Sequence, residues 1–256
     1  MKIFVTGGCG FIGSNFIHRQ IDNTNNIILN IDSLTYAGNI ENLSYLSSSE
    51  RYIFKNGNIC DTDFVDGIMS NFKPDAIVHF AAESHVDRSI DDPLKFVNTN
   101  IVGTANLLDI SLKYWRNSRN SDDNFRFLHV STDEVFGSLG EKGFFNETTP
   151  YAPSSPYSAS KASSDHLVRS WKNTYDFPIL ITNCSNNYGP YQFPEKIIPL
   201  MIANGIDEKP LPIYGDGSNI RDWLFVGDHC DAIYSVLKNG KIGDTYAIGG
   251  NCEIKN

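Results

Sequence analysis

Two adjacent acidic residues, Asp133 and Glu134, follow an apolar run from Phe125 to Val130. The run predicts a buried strand, so Thr132, Asp133 and Glu134 would lie at its carboxyl end, where open α/β sheets bind their ligands. Two carboxyl groups at a partly desolvated strand end raise each other's pKa, which suits one acid and one base. The alternative is an exposed loop in which the Asp-Glu pair has no chemical role.

Tyr157 and Lys161 form a second candidate pair. Ser155 is suited to be a helix N-cap and Pro156 to be the first helical residue, so Tyr157 and Lys161 would share one face of a helix. A lysine ammonium close to a phenol lowers the phenol's pKa towards a value that is useful for a general base. Because the Tyr-x-x-x-Lys pattern is common, an exposed helical pair is the competing interpretation.

A glycine-rich turn follows the first β-rich run, Lys2 to Thr6. Gly7 would permit a tight turn, Gly10 would let the backbone approach a pyrophosphate, and Gly13 would let the following helix pack on the strand. The helix N-terminus would supply amide donors. This order of strand, turn and helix predicts a dinucleotide site, although glycines that serve only the turn are the alternative.

Asp32 ends a second predicted strand, Ile27 to Ile31, and stands 19 residues after Gly13. A carboxylate at this place binds the ribose hydroxyls of a dinucleotide and repels a 2′-phosphate. No arginine follows it closely. The sequence therefore predicts NAD rather than NADP.

Strand and helix patterns alternate along most of the chain. Further strands are predicted near Tyr52 to Lys55, from Ala76 to Phe80 and from Pro178 to Cys184, with a helix from Phe64 to Phe72. Asp92 and Pro93 would open a long helix whose apolar face, Val97, Ile101, Thr104, Leu108 and Leu112, is core, and His85, Asp87 and Arg88 would precede it in a loop. These patterns predict an α/β fold with a Rossmann-type doubly wound parallel sheet.

Prolines interrupt the alternation in the last part of the chain. We therefore expect an NAD-binding Rossmann domain at residues 1–183 and a smaller, apparently incomplete substrate-binding region at residues 184–256, with approximate boundaries and interleaved elements.

Composition narrows the classes of partner. The 256 residues are 41% hydrophobic, and 21 basic against 30 acidic residues give a net charge of -9. This balance argues against nucleic acid and anionic membranes as partners. The five cysteines and six histidines show no metal-ligand spacing, so no metal is expected. No signal peptide and no run of transmembrane length are recognised, which predicts a cytoplasmic protein.

The chain resembles extended short-chain dehydrogenases/reductases, and in particular nucleotide-sugar 4,6-dehydratases of the dTDP-glucose type. The resemblance covers essentially the whole chain, and its most specific motifs are Ala81-Ala82-Glu83-Ser84-His85-Val86-Asp87-Arg88-Ser89 and Thr132-Asp133-Glu134. Other motifs lie at Thr6–Gly13, Asp32–Asn39, Tyr157–Lys161, Asn183–Pro199 and Arg221–Trp223.

The resemblance implies conversion of dTDP-glucose to dTDP-4-keto-6-deoxyglucose with transient reduction of NAD, in deoxysugar biosynthesis of the rhamnose type. Tyr157 would take the 4-hydroxyl proton, with Lys161 lowering its pKa and Thr132 orienting the hydroxyl. Glu134 would remove the C5 proton, and Asp133 would protonate the departing 6-hydroxyl.

The same resemblance implies two sets of binding residues. The cofactor set, with the three glycines, is Phe11, Ile12, Asp32, Ser33, Leu34, Thr35, Asn58, Ile59, Phe80, Ala81, Ala82, Ser84, Thr99, Tyr157, Lys161 and Asn187. The substrate set is Ser84, Thr132, Asn186, Lys196, Pro212, Ile213, Tyr214, Arg221 and Asn256. A homodimer is also implied, through helices around Val97 to Leu112 and Tyr157 to Trp171.

Three features depart from the family pattern. Asn58 replaces the usual Asp, and Cys9 replaces a small Ala at a helix N-terminus, where its thiol pKa would be depressed. Family members also continue for some tens of residues beyond the position of Asn256. Two alternatives therefore stand beside the dehydratase: a truncated, catalytically silent NAD-binding homologue, and a dehydratase or epimerase for another nucleotide sugar.

Overall fold

A sheet of seven parallel strands forms the centre of the computed structural model, which describes residues 1–117, 124–139, 143–213 and 217–255. The strands of the described chain are β1 (Lys2–Thr6), β2 (Ile27–Asp32), β3 (Tyr52–Asn56), β4 (Ala76–His79), β5 (Arg126–Thr132), β6 (Ile179–Cys184), β7 (Asn186–Tyr188), β8 (Ile220–Phe225), β9 (Thr245–Ile248) and β10 (Glu253–Lys255). The main sheet has the order β3-β2-β1-β4-β5-β6-β9. Its first six strands repeat the doubly wound Rossmann order, so the predicted fold class is confirmed.

Eight α-helices connect these strands within the described residues. They are α1 (Phe11–Asn23), α2 (Thr62–Phe72), α3 (Val86–Asp91), α4 (Pro93–Phe96), α5 (Thr104–Asn117), α6 (Pro156–Tyr175), α7 (Ile197–Ile206) and α8 (Val226–Asn239). Short 3-10 helices occupy Ile40–Leu46 and Asp133–Phe136, and a π-helical segment, Val97–Gly103, joins α4 to α5.

Apolar side chains cover both faces of the sheet, as a parallel sheet requires. On one face, residues of α2, α5 and α6 such as Met69, Leu107 and Val168 are fully buried in a common core. On the other face, α1 and α8 contribute Phe16 and Ile233. The strands are consequently held between two layers of helices, which fixes where their carboxyl ends lie.

The helix that follows Asp92 begins where the sequence predicts. Asp92 accepts a hydrogen bond from the backbone N–H of Lys95 (3.4 Å), and Pro93 is the first helical residue. The predicted apolar face is wrong at its start, because Val97 is 40% exposed whereas Leu108 and Leu112 are buried. The π-helical segment widens the turn and rotates the later residues relative to Val97.

The segment around His85 is also more ordered than the predicted loop. His85 is the N-cap of α3 and accepts a hydrogen bond from the backbone N–H of Arg88 (3.4 Å). Asp87 and Arg88 therefore lie on a short helix, which fixes their direction relative to the sheet.

The chain after residue 183 contributes strands to the main sheet and to a second, smaller sheet. Strand β9 extends the main sheet beside β6, and α8 packs against α1. Strands β10, β8 and β7 form a separate three-stranded sheet, in which β8 pairs antiparallel with β10 and parallel with β7. The division at residues 183 and 184 stays a prediction, with elements of the second part built into the first.

Within the described residues, every helix falls short of the length and apolarity that a membrane span requires.

Candidate active site

A cleft of about 450 Å³ lies at the carboxyl ends of the central strands. It brings together most of the residues that the sequence predicts for the cofactor, the chemistry and the substrate. Those that line it are Gly7, Gly10, Phe11, Ile12, Gly13, Asp32, Ser33, Thr35, Asn58, Ile59, Phe80, Ala81, Ala82, Ser84, Thr99, Thr132, Asp133, Glu134, Tyr157, Lys161, Asn186, Asn187 and Lys196. The two halves of the chemistry, the acidic pair and the Tyr-Lys pair, therefore face one common space.

Four predicted residues lie outside this lining: Leu34, Pro212, Ile213 and Arg221. Leu34 packs against the core on the α1 side of the sheet. Ile213 is 72% exposed. Tyr214 and Asn256 lie outside the described residues.

The glycine turn between β1 and α1 is built for close approach. Gly7 has a φ of +73°, and a Cβ there would lie 2.5 Å from the backbone nitrogen of Ala81. At Gly13 a Cβ would lie 2.4 Å from the carbonyl oxygen of Gly7, whereas at Gly10 its nearest neighbour would be at 3.4 Å. Gly7 and Gly13 thus keep the turn compact, and Gly10 leaves its outer side open towards the cleft. Because no side chain caps α1, the geometry fits a pyrophosphate at the helix N-terminus.

Asp32 ends β2 beside this turn. Its carboxylate accepts backbone hydrogen bonds from Cys9 (2.9 Å) and Leu34 (2.8 Å). Burial raises the pKa of Asp32, and these two bonds partly oppose that rise. Leu34 contributes to this arrangement through its backbone. Its φ of +50° directs the N–H group to the Asp32 carboxylate.

The predicted depression of the Cys9 thiol pKa is wrong. Burial raises the pKa of Cys9 to about 12, and the negative charge of Asp32 acts in the same direction. The thiol is packed in the core, with an exposed fraction of 0%, so the helix N-terminus does not activate it.

The acidic pair sits on a short turn that Thr132 organises. Thr132 is the last residue of β5, and its hydroxyl oxygen accepts a hydrogen bond from the backbone N–H of Glu134 (3.2 Å). The same hydroxyl donates to Asp133 Oδ1 (3.4 Å). Both carboxyl groups line the cleft, so the exposed-loop interpretation does not hold.

The two carboxyl groups have different surroundings although they are neighbours in the chain. Burial raises the pKa of Asp133 to about 7, and the negative charge of Glu134 adds to the rise. Burial also raises the pKa of Glu134, but the positive charges of Lys196 and Arg221 oppose it. Asp133 is thus suited to hold a proton near neutral pH, and Glu134 is suited to accept one.

Tyr157 and Lys161 are buried on the first turns of α6. Ser155 caps this helix and Pro156 is its first residue, as the sequence predicts. Tyr157 is 8% and Lys161 4% exposed, so the interpretation as an exposed pair does not hold. The backbone N–H of Tyr157 donates to Ser89 Oγ (3.1 Å).

The pKa of the Tyr157 phenol differs from the expectation. Burial raises it well above its ordinary value, and the negative charge of Glu134 adds to this, whereas a hydrogen bond with Thr132 lowers it. The predicted lowering of this pKa is therefore wrong for the protein without ligands, where the shift is upward. The Lys161 ammonium donates a hydrogen bond to the Val130 carbonyl (3.0 Å), and burial lowers its own pKa.

Several cleft residues lie beyond the predicted sets. Glu83 is 3% exposed and pairs with Lys95 (3.1 Å). Glu195 contacts His85 (3.5 Å) and Arg88 (3.4 Å). Glu83, His85 and Arg88 belong to the family motif Ala81–Ser89, so the sequence contained a signal for them. Their distant neighbour Glu195 has no such signal in the sequence.

Lys196 and Arg221 bring positive charge towards the acidic pair. Lys196 Nζ donates to the backbone carbonyl of Ser84 (3.4 Å), and burial lowers its pKa although Glu195 and Glu134 oppose this. Arg221 Nη1 is buried and has no hydrogen-bond partner in the described residues. This unpaired donor is suited to an anionic ligand.

Comparison with known proteins shows similarity to nucleotide-sugar dehydratases, which agrees with the geometry of the cleft. The chain matches the model of the family described as GDP-mannose 4,6 dehydratase over residues 4–256. It is 56% identical to a dTDP-glucose 4,6-dehydratase of Salmonella typhimurium, with 100% of this chain and 74% of that protein covered.

Two solved structures are also similar. A dTDP-glucose 4,6-dehydratase from Bacillus anthracis in complex with NAD has a TM-score of 0.91 and 47% identity, and covers 100% of this chain and 77% of its own. The second structure is DesIV, a dTDP-glucose 4,6-dehydratase from Streptomyces venezuelae with NAD and TYD bound. It has a TM-score of 0.92 and 45% identity, and the match covers 100% of this chain and 78% of DesIV. The chain thus belongs to the GDP-mannose 4,6 dehydratase family, and relatives that share about half its residues are dTDP-glucose 4,6-dehydratases.

Proposed function

We propose that this chain is an NAD-dependent hydro-lyase that converts dTDP-glucose to dTDP-4-keto-6-deoxyglucose. The observation that carries the proposal is the acidic pair, because Asp133 and Glu134 line the same cleft as Tyr157 and differ in their tendency to hold a proton. A 4-epimerase needs neither an acid at C6 nor a base at C5 of the sugar. The names of the relatives support the same substrate.

The glycine turn, Asp32 and the cleft residues after β4 would hold the cofactor. NAD, when bound, supplies a group that accepts a hydride from the sugar and later returns it, so the overall reaction needs no external oxidant. The open side of Gly10 and the uncapped N-terminus of α1 fit its pyrophosphate.

Tyr157 would take the proton from the 4-hydroxyl of the sugar. Thr132, which lines the same cleft, would orient the 4-hydroxyl. The positive charge of the Lys161 ammonium, one helical turn away, would stabilise a Tyr157 phenolate. Burial of Tyr157 and Lys161 excludes water that would compete for the proton.

The acidic pair would carry out the elimination. Once C4 is a ketone, the C5–H bond is acidic, and Glu134 would remove this proton. Asp133, whose pKa is about 7, would give its proton to the 6-hydroxyl as the C6–O bond breaks, so that water leaves. The pair thus takes up one proton and releases one. When the hydride returned to C6, Glu134 would give a proton, exchangeable with solvent, to C5, which completes the 4-keto-6-deoxy sugar.

Lys196 and Arg221 would bind the diphosphate of the substrate. The protein has a formal charge of -9, so an anionic ligand needs local positive charge. Lys196 lines the cleft, and Arg221 has a buried guanidinium nitrogen without a partner in the described residues. Ser84 and Asn186, which also line the cleft, complete this proposed contact set.

A product assay in heavy water tests the function. The chain is incubated with dTDP-glucose, and we expect a 4-keto-6-deoxy product that carries solvent deuterium at C5. Glu134→Gln keeps the size of the side chain but cannot accept the C5 proton, so its turnover should fall by about 100-fold or more.

Other outcomes would contradict the proposal. A 4-epimer without deuterium at C5 would indicate an epimerase. A chain that retains NAD without any turnover, beside an active chain extended to the length of its relatives, would indicate the catalytically silent alternative.

The homodimer also remains a proposal, and so does the cytoplasmic location. Large apolar side chains are exposed near the predicted interface helix, among them Ile90 (65%), Leu94 (76%) and Val102 (49%). A second copy would cover this surface. Sedimentation equilibrium of the chain tests the dimer, and Leu94→Glu should produce a monomer if these residues form the interface.

A further inference from the structure

Helix α6 carries a second buried charge, Asp165, one turn after Lys161. The exposed fraction of Lys161 is 4% and that of Asp165 is 0%. Residues four apart lie on the same face of a helix, so the ammonium and the carboxylate both face the sheet. Isolated buried charges are costly, which means that this pair must be stabilised by its surroundings.

The carboxylate of Asp165 is held from three directions. Its Oδ2 accepts hydrogen bonds from the Tyr151 hydroxyl (2.7 Å) and from Asn183 Nδ2 (3.1 Å). Its Oδ1 lies 3.2 Å from His129 Nε2. Arg169 in turn donates to the Tyr151 hydroxyl (2.6 Å). This arrangement fixes the carboxylate and favours its ionised form.

The pKa of Asp165 agrees with the geometry. Burial by itself would raise this pKa, but the contact with His129, the charge of Lys161 and the bond from Tyr151 outweigh burial and lower it. Asp165 is therefore ionised at neutral pH.

The same contacts connect Asp165 to the proposed reaction site. Lys161 bonds to the carbonyl of Val130, and the preceding residue of β5, His129, contacts Asp165. Asn183 of β6 donates to Asp165 and also to the backbone carbonyl of Thr132 (3.1 Å). The carboxylate is thus connected to β5, the strand that carries Val130 and Thr132, and it lies outside the lining of the cleft, whereas Lys161 lies within it.

Neighbouring titratable groups do not supply the same charge. Lys161 interacts electrostatically with Asp165 from its own helix, His129 from β5, His79 from β4 and Cys184 from β6, and Tyr157 lies one turn earlier on α6. Burial lowers the pKa of His129 to about 4 and that of His79 well below its ordinary value. Burial raises the pKa of Cys184 to about 12 and that of Tyr157 well above its ordinary value.

Without cofactor and substrate, these four groups are uncharged at neutral pH. The acidic pair lies on the cleft side of Lys161, where the substrate would bind. Among the residues that the structure describes, Asp165 is consequently the ionised group outside the cleft whose negative charge stabilises the Lys161 ammonium.

We propose that Asp165 is a positioning residue for the Tyr157–Lys161 pair, because its buried carboxylate, held through Oδ2 by Tyr151 and Asn183, is the countercharge that keeps Lys161 protonated and aligned. The proposal rests on the proposed function and extends it to a residue that does not contact the substrate.

The test compares Asp165→Asn with Tyr151→Phe in the full chain loaded with NAD. Both variants remove a hydrogen bond of the same cluster, but only Asp165→Asn removes the charge. Lysine labelled with ¹³C at Cε reports the titration of Lys161 by NMR, assigned with Lys161→Met. We expect the Lys161 midpoint to fall by about one pH unit or more in Asp165→Asn and to stay unchanged in Tyr151→Phe.

Turnover provides a second readout. Removing the countercharge lowers the Lys161 pKa, so Lys161 loses its proton at lower pH. The ratio of kcat/KM in Asp165→Asn to that of the unaltered chain should therefore fall as pH rises, whereas a purely structural defect would give a constant ratio. Asp165→Glu, which restores the charge, should restore most of the pH profile.

The outcomes remain distinguishable. An unchanged Lys161 midpoint in Asp165→Asn would overturn the proposal, even if turnover fell. If the unaltered chain makes no product, the proposed function fails while the NMR titration still decides the role of Asp165. If Asp165→Asn does not fold, ¹³C-aspartate titration of the unaltered chain decides it, because an Asp165 carboxyl that is protonated at neutral pH would contradict a fixed countercharge.

Discussion

Lys161 Nζ donates a hydrogen bond of 3.0 Å to the backbone carbonyl of Val130. This bond fastens α6 to β5 two residues before Thr132. Tyr157, one turn earlier on the helix, is thereby brought to the same end of the strand as the acidic pair. Two sequence motifs that lie more than twenty residues apart in the chain become one site through this contact.

Tyr157→Phe tests the proposed base at C4. The ring and its edge contact with Phe96 (6.3 Å between centroids) are kept, while the hydroxyl is lost. We expect turnover to fall by about 100- to 10,000-fold. NAD retained by the purified protein, measured after denaturation, should be nearly unchanged.

Tyr175→Phe is the matched control on the same helix, because Tyr175 lies at its far end and is 39% exposed. Its turnover should equal that of the unaltered chain. If the turnover of Tyr157→Phe stayed within a few-fold of that of the unaltered chain, Tyr157 would not be the base at C4.

Gly13→Ala tests the compact turn of the cofactor site. The added Cβ would lie 2.4 Å from the carbonyl oxygen of Gly7, so the turn must open. We expect a loss of about 1–3 kcal/mol in the free energy of unfolding and weaker retention of NAD. Urea denaturation and nucleotide release measure the two effects.

Gly67→Ala in α2 is the control for the glycine substitution. A Cβ at Gly67 meets no atom within 4 Å, so the change should stabilise the protein by up to about 1 kcal/mol. If both alanine variants had the same stability, close packing at Gly13 would not be the reason for its glycine.

The elements of this fold were predictable where local signals are strong. Gly7, Gly10 and Gly13 sit between a strand and a helix in the sequence and in the structure, and Ser155 and Pro156 begin α6 as predicted. Val97 was misassigned because a helical period of 3.6 residues cannot anticipate a π-helical segment. His85 was missed as an N-cap since histidine is uncommon in that role.

Long-range contacts of the site were harder to predict. The pKa of Tyr157 depends on burial and on Glu134, whereas the spacing to Lys161 alone suggests the opposite direction. The contacts of Asp165 with Tyr151, Asn183 and His129 join segments from three parts of the chain. Such contacts arise from the strand order and have no local signature.

Asp32→Asn tests the choice between NAD and NADP. Asparagine keeps one oxygen that can accept from the backbone N–H of Cys9 or Leu34, but it removes the negative charge. Without charge repulsion, binding of NADP relative to NAD should improve by about tenfold, which corresponds to about 1.4 kcal/mol. Calorimetric titration of the cofactor-free protein with both nucleotides measures this ratio, and an unchanged ratio would mean that Asp32 does not discriminate against the 2′-phosphate.

Asp133 should give the enzyme a pH dependence of its own. Its pKa is raised from 3.8 to about 7, chiefly by burial, so it is protonated below about pH 7 and ionised above. If it is the acid at C6, kcat/KM should fall as pH rises through about 7. Asp133→Asn should lower the rate by a smaller factor than Glu134→Gln, since water can partly replace an acid, and should abolish this fall.

The same shift predicts a change in stability with pH. Between about pH 4 and 7 the unfolded chain has lost the Asp133 proton and the folded chain still holds it, so folding binds a proton and the free energy of unfolding decreases as pH rises. Asp133→Asn lacks this contribution. Its free energy of unfolding relative to that of the unaltered chain, measured by urea denaturation, should therefore be greater at pH 8 than at pH 5. Equal differences at the two pH values would show that the folded-state pKa of Asp133 is ordinary, and Asp133 would then be ionised at neutral pH and unable to serve as the acid that protonates the leaving hydroxyl.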